Sequence, residues 1–163
     1  MEFTEKLKEL KQRQKEINKL NTELTKFSSG IFEDFYRYIF EKYNTLEFFG
    51  WTQYTPYFND GDTCVFFANT EYIKVNDDYA EDSSWFNQKN VTNWGTWNST
   101  QRVYEGREEV ENENYDKVLV DAHNEIIEFL SQFDNDFYLR KFGDHAEITV
   151  TRTGVDISDC DHD

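Results

Sequence analysis

The sequence predicts an α+β fold: an antiparallel sheet of about four strands packed with helices, plus a long N-terminal helix. Three observations carry this. Residues 2–27 hold no Pro or Gly and are dominated by Lys, Glu, Leu and Gln, all strong helix formers. Two separate stretches, 48–75 and 137–152, are rich in aromatic and β-branched residues broken by turn chemistry. Amphipathic helical patterns precede each of them. Helices and strands grouped in blocks, rather than in strict alternation, indicate an α+β arrangement.

The N-terminal helix comes first. Phe3, Leu10, Ile17, Leu24 and Ile31 recur at strict seven-residue spacing. Leu7 opens a second row that Gln14, Asn21 and Ser28 continue, while Leu20 and Phe27 widen the stripe. At 1.5 Å per residue, residues 2–27 would span about 39 Å. Two readings stand side by side. In one, Phe3, Leu7, Leu10, Ile17, Leu20 and Leu24 form a dimerisation seam, with Gln14 and Asn21 fixing the register of a coiled coil. In the other, the helix lies along its own domain. The expected organisation is therefore 1–27 as a helical arm, 28–155 as an acidic α+β domain and 156–163 as an acidic tail.

Ser28 or Ser29 can cap a second helix that ends near Asn44, with Phe32, Phe35, Tyr36, Ile39, Phe40 and Tyr43 on its buried face. Strands follow near 49–56 and 63–69, turned by "NDGD" at 59–62, with 71–75 continuing or pairing again. Residues 76–100 lack periodicity yet hold Trp85, Phe86, Trp94 and Trp97. Those rings either pin a long loop to the body or form an exposed anchor set for a partner. Residues 101–114 are dominated by Glu. From Tyr115 the spacing of Val118 or Leu119, Ala122, Ile126, Phe129 or Leu130, and Phe133 predicts a core helix. Residues 137–142 and 145–152 read as a second hairpin about Gly143–Asp144, and "GVDISDCDHD" as a frayed tail.

Charge narrows the function. The chain carries −16 overall. Residues 1–27 hold seven Lys/Arg against five acids, whereas residues 28–163 hold ten against twenty-eight, a net of −18. So acidic a body argues against direct binding of nucleic acid or anionic membrane, and favours a basic protein surface or one that normally grips nucleic acid. Nothing signals catalysis. The three histidines, His123, His145 and His162, form no recognisable pair, and no phosphate loop, dinucleotide fingerprint, nucleophile elbow or zinc-protease motif is present. Two cysteines make no disulfide framework or zinc site, and no metal or cofactor is expected. The N-terminus lacks the apolar core of a secretory signal, which points to the cytoplasm.

The candidate partner-binding residues are two acidic clusters and two rings. Asp77, Asp78, Glu81 and Asp82 form one cluster; Glu105, Glu108, Glu109, Glu111, Glu113 and Asp116 form the other; Trp94 and Trp97 supply aromatic anchorage. Spaced carboxylates on a rigid body can imitate the phosphate rows of duplex DNA.

The Asn-, Asp-, Tyr- and Phe-rich composition, the Lys/Glu-rich first helix and the phrase "QYTPYFNDGD" (53–62) resemble small acidic early proteins of T-even-like bacteriophages. Size and acidity are also similar to those of the T-even phage inhibitor of the host Lon protease, an ATP-dependent AAA+ machine that also binds DNA. The resemblance implies a non-enzymatic protein that binds and blocks a host protein in the host cytoplasm, with such a protease as leading target. The alternative is a DNA mimic occupying the nucleic-acid site of a restriction, defence or transcription protein. No functional residue carries over by position.

Overall fold

A computed structural model describes residues 3–58, 60–76, 86 and 89–161. Its first element is one unbroken helix, α1 (Phe3–Lys42), 40 residues and about 60 Å long. The break expected at Ser28 or Ser29 is absent, and both serines and Gly30 lie inside the helix. With no proline to remove an N–H, one glycine costs only about 1 kcal/mol against alanine. Ending the helix and nucleating another would cost more, because nucleation is the unfavourable step.

The chain divides into two compact units, residues 1–38 and 39–163. Within the first, Glu9 and Arg13 pair one turn apart at 2.6 Å, and the hydroxyls of Thr22 and Thr25 donate to the carbonyls of Asn18 and Asn21.

The second unit takes up the last turn of α1. It then contains, in chain order, β1 (Phe48–Tyr54), β2 (Phe67–Ala68), β3 (Lys74–Val75), β4 (Asn90–Asn93), β5 (Thr96–Asn98), β6 (Val103–Glu105), β7 (Glu108–Glu111), α2 (Lys117–Leu130), α3 (Asn135–Phe142), β8 (Ala146–Thr151) and β9 (Gly154–Asp159). The main sheet is antiparallel. β1 pairs with β8 on one side and with both β2 and β3 on the other, and β9 pairs with β8 at the edge. The register sets Phe49 opposite Val150 and Trp51 opposite Ile148, so one face of the sheet is apolar there, with buried Gln53 beyond them opposite Ala146. Against it lie Phe40 of α1, ring centroid 5.8 Å from Phe49, and Tyr138 and Phe142 of α3, 5.7 and 5.4 Å from Trp51. Helix α2 buries Leu119, Ala122, His123, Ile126 and Leu130. The aromatic supply noted in the sequence thus becomes the core.

Three sequence expectations are corrected by the structure. Residues 137–142 are helix, not strand: Asp134 accepts from the Phe137 N–H as N-cap, and Gly143 follows the helix at φ 87°. Short aromatic runs satisfy either period, and here the caps decide. The hairpin is displaced accordingly to 146–151 and 154–159, so most of the expected frayed tail is the edge strand β9. The strand expected over 63–69 shrinks to Phe67–Ala68.

Arg152, in the turn between β8 and β9, donates to the carbonyls of Phe40, Tyr43, Asn44 and Leu46. The first of these is an end carbonyl of α1 that has no partner within the helix. Glu125 of α2 fastens the same corner, accepting from Lys42 at 2.7 Å and from the Tyr43 hydroxyl at 2.8 Å. Buried Gln53 accepts from the Trp51 indole and donates to the carbonyls of Tyr138 and Gly143, so its amide is satisfied inside the core.

Candidate functional site

The stretch expected from the sequence to be a loop followed by an acidic run pairs with itself. Residues 90–93 of β4 face 108–111 of β7, and residues 96–98 of β5 face 103–105 of β6. The result is one two-stranded ribbon, interrupted midway at residues 94–95 and 106–107. The local sequence explains it. Val in both arms and Thr in the first favour strand, and Asn98 organises the end turn by accepting from the N–H groups of Thr100 and Gln101, both at 3.0 Å. Gly95 and Gly106 hold positive φ, 68° and 78°, at the interruption. At Gly95 a Cβ would be driven into the Glu105 carbonyl, so the backbones approach where only glycine fits.

The ribbon is anchored at its base. The Asn112 N–H donates to the Lys89 carbonyl at 2.8 Å, and the Asp116 N–H to the Phe86 carbonyl at 3.1 Å. Phe86 is fully buried and meets His123 of α2 edge-on at 5.7 Å. Burial in that apolar setting holds His123 below its ordinary pKa, although a hydrogen bond with Asn124 opposes the shift.

An aromatic cluster stands on the ribbon. Tyr104 lies directly across from Trp97, with ring centroids 4.9 Å apart, and 5.5 Å from Trp94. The guanidinium of Arg107 sits 4.5 Å over the Trp94 ring. Trp94 and Trp97 are each 51% exposed and Tyr104 48%. These rings pack against one another at tilted angles rather than into the core. Phe86 pins the segment, Trp94 and Trp97 remain accessible, and Trp85 lies outside the described residues.

The acidic candidates sort in the same way. Glu105, Glu108, Glu109, Glu111 and Glu113 are all exposed on the ribbon or at its base. Strand alternation puts Glu109 and Glu111 on one face and Glu108 on the other. Glu105 accepts from the Asn98 amide at 2.7 Å. Asp116 is instead the N-cap of α2, accepting from Val118 and Leu119 at 2.9 and 3.1 Å. Asp77, Asp78, Glu81 and Asp82 lie outside the described residues. The candidate dimerisation residues Phe3, Leu7, Leu10, Ile17, Leu20 and Leu24 are all exposed on α1.

Sequence reasoning misses Tyr104 and Arg107, which complete the cluster. The signal is present in two glycines bracketing equal runs of strand formers, hidden because the charge of the second run masks its strand propensity. Elsewhere, a cleft of about 370 Å³ opens beside the β2–β3 connection, α2 and the start of α3, with Glu71 the one carboxylate among its described lining residues. Among the described residues no group of three or more His, Cys, Asp or Glu is arranged to hold a metal ion, and no helix is long and apolar enough to cross a membrane. Compared with protein-family models, curated proteins and solved structures, the chain matches none of them.

Proposed function

We propose that the protein is a non-enzymatic, phage-type inhibitor that binds and blocks a host protein in the host cytoplasm, using the β-ribbon as its contact arm. The observation that carries this reading is the half-exposed Trp94–Tyr104–Trp97 cluster set among five exposed glutamates. Exposed aromatics are among the side chains that most often dominate binding energy, and the mutual packing of these rings lowers the entropy cost of immobilising them. The surrounding carboxylates suit a basic partner surface and would raise the rate of encounter more than the final affinity. The resemblance to T-even-like early proteins supports an ATP-dependent AAA+ protease such as Lon as the leading target.

The test is direct. Purified Lon degrading casein with ATP should slow when the protein is added, and the paired change Trp94→Ala with Trp97→Ala should abolish the effect while the fold persists. Undiminished proteolysis at saturating protein would rule out that target.

A second reading, DNA mimicry, is favoured by the alternation that places Glu109 and Glu111 side by side on one face, about 7 Å apart. It predicts displacement of duplex DNA from the partner, weakening as salt rises. Glu105, Glu108, Glu109 and Glu111 changed together to Gln should remove that displacement. Intact displacement by this variant would refute mimicry.

A further inference from the structure

We infer that α1 docks on α1 of a second copy of this chain, as a parallel, in-register two-stranded coiled coil over residues 3–31. This interface is independent of the target proposed above.

The first ground is the period. Phe3, Leu10, Ile17, Leu24 and Ile31 keep a strict seven-residue repeat over 29 residues, and all five are exposed. A straight helix drifts by about 20° per heptad from such a row, so a seam this long stays in contact only with a partner helix of matching length and supercoil. Within the described residues of this chain the other helices have 14 and 8 residues, too short to cover it. The same helix in a second copy matches it in length and pitch.

The second ground is area. Leu7, Leu20 and Phe27 flank the row and are exposed as well, giving eight apolar side chains in all. At on the order of 100 Å² each, their burial removes roughly 800 Å² per protomer from water, the size of a standard specific interface. Gly30 leaves a recess between Phe27 and Ile31 that extends the apolar face toward its C-terminal end.

The third ground selects the orientation. Gln14, Asn21 and Ser28 occupy the row beside the apolar seam. In a parallel, in-register pair each faces its own copy, amide against amide at Gln14 and Asn21 and hydroxyl against hydroxyl at Ser28, while the layers of the Phe3–Ile31 row are apolar against apolar. In an antiparallel pair centred near residue 19, Gln14 faces Leu24 of the partner subunit and Asn21 faces Ile17 of the partner subunit, leaving both amides against aliphatic groups. Buried amides without partners are costly, and a polar residue at such a position is a known determinant of register and strand number. The one unfavourable parallel contact sets Lys6 near Lys11 of the partner subunit, at the solvated end, where like charges cost little. Arg13 is already neutralised by Glu9.

The experiment uses the full chain. Sedimentation equilibrium at micromolar concentration should give twice the mass of one chain, and Leu10→Asp with Ile17→Asp should give the single mass with unchanged circular dichroism of the body. Orientation is read separately, in a Cys64→Ser, Cys160→Ser background. Oxidised Leu24→Cys should cross-link to itself in high yield. A chain that sediments as a monomer at 100 μM overturns the inference. So does a Leu24→Cys variant that cross-links only when mixed with Gln14→Cys, which would make the pair antiparallel.

Discussion

Trp97 and Tyr104 face each other across the β-ribbon, ring centroids 4.9 Å apart, with about half of each side chain left to solvent. The pair holds the two strands in register and at the same time offers its rings outward. An aromatic cross-strand pair is worth about 0.5–1.5 kcal/mol. A double-mutant cycle with Trp97→Ala and Tyr104→Ala should return a coupling of that size for the ribbon, while the thermal midpoint of the body stays near the wild-type value. Binding to the target should fall much further, by roughly 30-fold or more for either single change. A loss of binding no larger than the loss of ribbon stability would show that the rings brace the arm and do not touch the partner.

Gly95 tests the arm as a unit. Its φ of 68° and the proximity of the Glu105 carbonyl leave no room for a methyl group. Gly95→Ala should unpair β5 from β6, seen as loss of near-ultraviolet ring coupling between Trp97 and Tyr104. The global unfolding transition, governed by the main sheet, should remain. Gly106→Ala should be milder, because open space surrounds that position and only its φ of 78° is strained.

Arg152 is expected to be the most sensitive charged residue of the body. It serves four carbonyls at the end of α1, and a hydrogen bond to a charged group contributes more than a neutral one. Arg152→Met should destabilise the fold by about 2 kcal/mol in urea titrations. Arg152→Lys should recover only part of this, because a lysine ammonium cannot reproduce the planar fork.

Two groups make stability fall with acid, in different windows. His123 sits below its ordinary pKa because burial disfavours its charged form. Its unfolded counterpart therefore takes up a proton first, so stability should begin to drop as pH falls below about 6.5 and level off beneath the folded value. His123→Leu should flatten that window.

Asp144 acts lower. Burial pushes its carboxyl up, but bonds from the Thr55 hydroxyl and N–H and from the His145 N–H, with the charge of His145, leave it below its ordinary value. Its contribution is complete above about pH 4 and is lost as pH falls through the folded pKa. Asp144→Asn should remove that loss. Equilibrium denaturation at pH values from about 3 to about 8 separates the two.

Particular residues show how much of the fold is legible in the sequence. The heptad row from Phe3 to Ile31 reads as one face of a helix, and α1 has that face, because helical period depends only on neighbours three and four apart. The spacing of Leu119, Ala122, Ile126 and Leu130 marks a core helix for the same reason. Asp60, Gly61 and Asp62 read as a turn, and the positive φ of Asp60 and Gly61 agrees. Local chemistry suffices in each case. The stretch 137–142 misleads because its aromatics suit a strand as well as a helix, and only the cap at Asp134 and the packing of Tyr138 and Phe142 on Trp51 separate the two.

By itself, then, the sequence determined the α+β class, the long first helix, the aromatic core and the acidity of the body, all consequences of composition and short-range period. Tertiary structure alone decided that β4 and β5 pair with β7 and β6, and that Tyr104 joins Trp94 and Trp97. Those outcomes depend on which distant segments meet. Strand pairing is selected by the total of register, close glycine approach and burial at the base of the ribbon, quantities that no single stretch of the chain contains.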